Sequence, residues 1–153
     1  MNEKSFSFLE IKAKIEYFCA YQERCHQEVM EKLQKLGADY EDSQRLVAEL
    51  ISDNFLNEER FAEAFVSGKY RIKKWGRIKI KQHLKQKRIS DYSIKKGLAI
   101  IEEDEYQQNL ESLAERKYRE SKGNKWEKMT KTKRFLYNRG FESDLIMEFL
   151  NKL

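Results

Sequence analysis

Ten basic residues fall between Lys69 and Arg88 with no acid among them: Lys69, Arg71, Lys73, Lys74, Arg77, Lys79, Lys81, Lys85, Lys87 and Arg88. Their chemistry is attraction of anions, whether nucleic-acid phosphate or an acidic protein face, rather than bond making. On a helix starting near Arg77, the residues Arg77, Lys81, Lys85 and Arg88 share a narrow arc, with Ile80 and Leu84 to one side. A cationic ridge would then flank a buried stripe. Like charges stacked at i, i+4 repel, so the ridge is mildly destabilising until an anionic partner neutralises it. Tyr70 and Trp75 interleave the run and offer flat faces for stacking or packing. A charge run is usually only a solvated helix face. Read instead as an interface, its contacts are Arg71, Lys73, Lys74, Trp75, Arg77, Lys79, Lys81, Lys85 and Arg88.

Catalytic chemistry finds little to work with. The two histidines, His26 and His83, stand far apart in the chain, and His83 falls on the apolar side of its helix, where a core-edge imidazole is expected. Cys19 and Cys25 lack CxxC spacing and have no His/Cys quartet around them, which reads as two reduced thiols in a cytoplasmic protein. No GxxxxGK[ST] loop, GxGxxG turn or HExxH helix occurs. The acidic groups Glu58-Glu59 and Glu102-Glu103-Asp104 suit helix ends, where carboxylates meet the helix dipole. Phe61, Phe65, Phe135, Phe141 and Phe149 recur at helical spacing and read as core. A non-enzyme with no cofactor and no metal is expected.

The elements that position these groups are helical. Proline is absent and only six glycines occur in 153 residues, so long helices can run unbroken. Phe61, Ala62, Phe65, Val66 and Ile72 form one apolar stripe; Tyr106, Leu110, Leu113, Ala114 and Tyr118 form another. Asn57, Ser90 and Asp104 each precede a helical run as N-caps, with Gln107 completing a capping box on Asp104. Gly37 and Gly140 follow apolar runs, where a left-handed closing residue is expected. Gly68 and Gly97 sit inside helices, and close helix approach would account for them. With 40% hydrophobic and 37% charged residues, the chain can bury a thin core beneath a large charged surface. Nine Phe, eight Tyr and two Trp argue against wholesale disorder. No apolar run spans a bilayer and no cleavable leader pattern appears.

An internal repeat of about fifty residues organises the helices. Leu33, Leu84 and Leu136 align at offsets of 51 and 52 residues. Gly37, Arg88 and Gly140 then coincide, as do Ala38, Ile89 and Phe141. Each copy reads as a helix, a tight turn and a second helix, preceded by a further helix near 8–21, 57–72 and 105–118. The expectation is all-α: three tandem three-helix repeats at 1–56, 57–104 and 105–153, each leaning on its neighbour. The first carries 7 basic and 11 acidic residues, the second 13 and 7, the third 11 and 8. Basicity therefore concentrates in the middle copy. Positions matching its ridge are His26, Met30, Gln34 and Gly37 in the first copy, then Met129, Lys133, Tyr137 and Gly140 in the third, so the helical unit does not require the charge. Trp75, just before Gly76, either seals the junction of two repeats or faces a partner.

The segment from Phe55 through Leu56, Asn57, Glu58, Glu59, Arg60, Phe61 and Ala62, followed by Phe65-Val66, resembles the signature of the RecX family of regulatory proteins. Trp75-Gly76-Arg77, the run from Ile80 to Leu84, Ile89-Ser90 and Ile94 continue the likeness, and Arg139-Gly140-Phe141 resembles the family's C-terminal Arg-Gly-Phe. The chain departs from the pattern at Arg88, where many members have Gly, and carries Asn54 in a similar turn. The resemblance covers about residues 8 to 153. It implies an elongated, curved array of three-helix repeats, of a hand left open. It also implies a function: lying along the groove of RecA filaments on single-stranded DNA and slowing ATPase, strand exchange and co-protease activity. DNA repair and the SOS response would be regulated in this way. The expected partner is the RecA filament, with single-stranded DNA touched directly or through it, no membrane contact, and a monomeric chain. Two alternatives stay open from the residues: a DNA binder acting by competition, and a helical adaptor for another acidic protein.

Overall fold

The computed structural model describes residues 5–153; the first four residues of the expected first repeat lie outside them. Nine helices and no strand occur among the described residues: α1 Phe8–Tyr21, α2 His26–Lys35, α3 Tyr40–Ser52, α4 Glu58–Arg71, α5 Arg77–Gln86, α6 Asp91–Leu98, α7 Glu103–Glu120, α8 Lys125–Asn138 and α9 Ser143–Leu150. They fall into three groups of three, in agreement with the all-α repeat reading.

Helix starts follow the expected chemistry with one exception. Asn57 Oδ1 accepts from the Arg60 amide at 2.8 Å, and Ser90 Oγ accepts from the Ser93 amide at 3.2 Å. Asp104 is not an N-cap: Glu102 holds that position without a side-chain bond, and Asp104 lies in the first turn of α7. Gln107 pairs with Glu111 instead of closing a capping box. Three acids in that first turn, Glu103, Asp104 and Glu105, stabilise the helix start through its dipole, so a cap side chain is dispensable.

The second helix of each group ends in the same way. Gly37, Arg88 and Gly140 have φ of 90°, 61° and 94°. The amide one residue later bonds back five residues, Ala38 to Leu33 at 3.0 Å, Ile89 to Leu84 at 3.1 Å and Phe141 to Leu136 at 3.2 Å. This is the Schellman closure, which satisfies the orphan carbonyls of the last turn. Leu33, Leu84 and Leu136, the residues that accept these bonds, are fully buried. Each contributes about 2 kcal/mol through its burial. Asn54 and Lys74 also adopt positive φ, 64° and 58°, and the Asn54 turn closes α3 through the Phe55 amide and the Leu50 carbonyl.

The core divides in two. Ile11, Ile15, Val29, Leu33, Leu46 and Leu50 form a cluster private to α1–α3. The second and third groups share one cluster, from Phe61 and Tyr70 through Leu84 to Tyr106, Leu136 and Phe149, and only Cys25 of the first group enters it. Ile72 leaves the expected stripe: it follows the last turn of α4 and is 77% exposed. Gly97 does permit close approach, since a Cβ there would lie 3.1 Å from Ala62 on α4. Gly68 does not, for nothing lies within 4 Å of a Cβ built on it.

Segment 58–62 explains itself in this frame. The Glu58 carboxylate accepts from Ser90 Oγ at 2.5 Å and Ser93 Oγ at 2.7 Å, tying α4 to the start of α6. Arg60 donates to the carbonyls of Asn54 and Phe55 and pairs with Glu23 at 2.5 Å, clamping the first group to the second. Phe61 and Ala62 enter the shared core.

Candidate partner-binding surface

The nine candidate contacts do not form one ridge; they separate by what holds them. Arg77 opens α5 and turns inward, with its guanidinium 2.9 Å from Glu142, bonded also to Glu103, and lying 4.0 Å from the Tyr106 ring centre. Its amide donates to the Tyr106 hydroxyl at 2.9 Å, and that hydroxyl donates to Glu142 at 2.5 Å. Burial disfavours the charge on Arg77, but Glu142, Tyr106 and Glu103 together outweigh it, and the pKa stands above the ordinary arginine value. Arg77 is a bolt between the second and third groups. Gly76 just before it lies so close to Gly140 that a Cβ would collide with backbone.

Arg71 is exposed but engaged, 3.4 Å from Glu105 and 3.1 Å from Ser67 Oγ. Glu105 also accepts from the Tyr70 hydroxyl at 2.7 Å. That bond, ahead of the Arg71 contact, holds its carboxyl below the usual range. Trp75 is half-buried on the shared core, 4.6 Å from the His83 ring, with Lys69 and Lys79 over its indole at 4.8 and 4.4 Å. One side of Trp75 therefore packs on the shared core while part of it stays accessible, and His83 sits at the core edge as expected.

Lys81 and Lys85 are the unpaired part of the ridge. Both are exposed, and with Lys95, Asp91, Ile94 and Leu98 they line a depression of about 370 Å³ between α5 and α6. Arg88 does not extend their arc, because α5 ends at Gln86 and the left-handed turn carries Arg88 away. It lines a separate cleft of about 620 Å³ between the first and second groups, beside Lys87, His26, Met30 and Tyr40. Lys73 and Lys74 open onto a third cavity, of about 510 Å³, whose wall includes Arg116 and Arg139. Lys95, Arg116 and Arg139 are thus neighbours of the candidate set that lie outside the basic run.

Among the described residues no group of three or more His, Cys, Asp or Glu is placed to hold a metal ion, and no helix is long and apolar enough to cross a membrane. Cys19 and Cys25 are buried free thiols; burial pushes Cys19 up to about 11, keeping it protonated.

The chain itself resembles known proteins of one family. The family description "RecX, second three-helix domain" matches residues 57–98, and "RecX, third three-helix domain" matches residues 103–150. The Regulatory protein RecX of Chlorobaculum tepidum is 33% identical over 121 residues, covering 79% of this chain and 74% of that protein. The chain belongs to the RecX family. The RecX of Clostridium tetani is 32% identical over 133 residues, 85% of this chain, and the chain spans 61% of that relative's length. The crystal structure of RecX from Lactobacillus salivarius shares the fold, with a TM-score of 0.84 at 24% identity, covering 95% of this chain and 96% of that one.

Proposed function

We propose that this RecX-family chain binds RecA filaments on single-stranded DNA and restrains their ATPase, strand-exchange and co-protease activities, modulating DNA repair and the SOS response. It acts as a regulatory protein in the cytoplasm, as a monomer, without a cofactor or chemistry of its own. Its proposed units are 1–56, 57–104 and 105–153. The carrying observation is the set of exposed cations without a carboxylate partner, Lys73, Lys81 and Lys85 foremost, on a repeat where other basic residues are ion-paired. Lys74 and Lys79 extend that contact and Arg88 adds a cation at a separate cleft, while Arg71, Trp75 and Arg77 hold the helices that present it. Such a face suits a groove lined by acidic protein and phosphate.

Competition for DNA is the second reading, favoured by the gathering of Lys73, Lys74, Arg116 and Arg139 around one cavity. Charge reversal separates the two. Lys81→Glu/Lys85→Glu alters no hydrogen bond or ion pair and should keep the helical circular dichroism of the parent. Its inhibition of the RecA ATPase should weaken about tenfold or more, as expected for two reversed charges at a contact. A folded double variant that inhibits as well as the parent removes these two residues from the interface.

A further inference from the structure

We infer that the cavity between the second and third three-helix groups is a binding pocket for phosphate, formed by Lys73, Lys74, Arg116 and Arg139. This rests on and deepens the DNA-competition reading, and it shares Lys73 and Lys74 with the proposed filament contact; Lys81→Glu/Lys85→Glu, which leaves the cavity untouched, tests that contact separately.

Three observations carry it. The four cations come from three places in the chain, the turn after α4, the middle of α7 and the end of α8, and meet around one concave space of about 510 Å³. No acid is among the described residues lining it, and none of the four makes an ion pair among those residues, whereas Arg71 and Arg77 close by are both neutralised by carboxylates. Positive charge is therefore concentrated with no acid in the lining, and only Lys74 feels a carboxylate nearby, that of Glu105, an arrangement that draws an anion.

Arg139 is the second observation. Its guanidinium is half-buried and anchored by backbone carbonyls, those of Lys73 and, at 3.3 Å, Lys74. Carbonyls fix its direction without cancelling its charge. Burial first, and Arg116 second, hold its pKa below the ordinary arginine value, so the charge is one that an anion would relieve. The Nη1 hydrogens and the second Nη2 hydrogen are not spent on these carbonyls and can donate to phosphate oxygens.

The third is the polar lining. Gln108 and Ser112 face the same space from α7, offering neutral donors beside the cations, while the Asn109 amide is committed to the Tyr70 carbonyl at 2.8 Å and stiffens the wall. Four cations beside neutral donors suit a tetrahedral multiply charged group better than an extended carboxylate side chain. Phosphate could come from a nucleic-acid backbone or from a free polyphosphate, and the pocket chemistry is the same for both.

The test is isothermal titration calorimetry of the whole chain at low salt, with pyrophosphate and with a short oligothymidylate as separate probes. The variant is Lys73→Ala/Arg116→Ala; both side chains are exposed and neither makes a hydrogen bond or ion pair, so the fold and the Lys73 carbonyl that holds Arg139 remain. Lys133→Ala/Arg134→Ala on the exposed side of α8 removes the same charge as a control. The expected result is binding of either or both probes by the parent, weakened about tenfold in the pocket variant and much less in the control. Loss confined to the oligonucleotide makes the backbone of nucleic acid the source, and loss confined to pyrophosphate makes it a free phosphate. Absence of binding by the parent to both probes overturns the proposal, as does equal weakening in variant and control. A pocket variant that loses filament inhibition when neither probe binds the parent assigns the cavity to protein carboxylates and overturns it too.

Discussion

A basic run read along the chain says how many charges are near one another, but each side chain then chooses its neighbours in space. Arg77 shows the difference. Its partners Glu103, Tyr106 and Glu142 lie 26 to 65 residues further on. Nothing in the spacing of Arg77, Lys81 and Lys85 announces that the first turns inward while the other two stay free. His83 was more legible, because its apolar neighbours at helical spacing place it at the core edge. There the ring packs on Trp75, and burial first, then Lys79, Lys69 and Lys87, hold its pKa below the ordinary 6.5. The sign for stability follows from that direction. The folded chain binds a proton less readily than the unfolded one, so His83 costs nothing above about pH 6.5 and destabilises as pH falls through that value toward the folded pKa. The melting temperature of His83→Gln should therefore decline less than that of the parent between about pH 7 and pH 5. Parallel declines would show that the imidazole is not held neutral by its surroundings.

Helices and their ends were the most legible level, and the reason is local. A Schellman closure needs only a left-handed residue after an apolar run, and Gly37 and Gly140 declare it by type. Arg88 declares it only by register with them, yet its φ of 61° makes the same turn. A side chain in that region costs about 1 kcal/mol relative to glycine, so Arg88→Gly should stabilise by about that much in urea denaturation. An unchanged or lowered midpoint would mean that contacts of the Arg88 side chain outweigh the backbone strain. Caps are less legible where several residues serve equally. The start of α7 carries three acids in one turn, and Asp104 was favoured by type although Glu102 holds the position. Interior glycines divide in a similar way: Gly97 is needed where α6 meets Ala62, while Gly68 faces open space, a distinction that depends on which helix packs where.

At the scale of the molecule, the three-copy pattern anticipates the grouping of helices but not how unequally the groups join. The first keeps a core of its own and touches the second through Cys25, the Arg60–Glu23 pair and the Lys87–Glu28 pair at 3.8 Å. The second and third share a core and are bolted by Arg77, Tyr106 and the Gly76–Gly140 approach. The repeat register hides this: Gly140 has its counterpart in Gly37, which makes the same turn, while the position matching Arg77 holds His26. The second and third groups thus form one body with a shared core whose surface carries the unpaired cations, and the acidic first group is attached at one side. The proposed regulation of RecA filaments is tested by the single-stranded-DNA-dependent ATPase of the cognate RecA, measured with and without this chain alongside its binding to the same DNA alone. Inhibition at concentrations too low to occupy bare DNA is the predicted result. No inhibition, or inhibition that appears only once the DNA is coated, would contradict it.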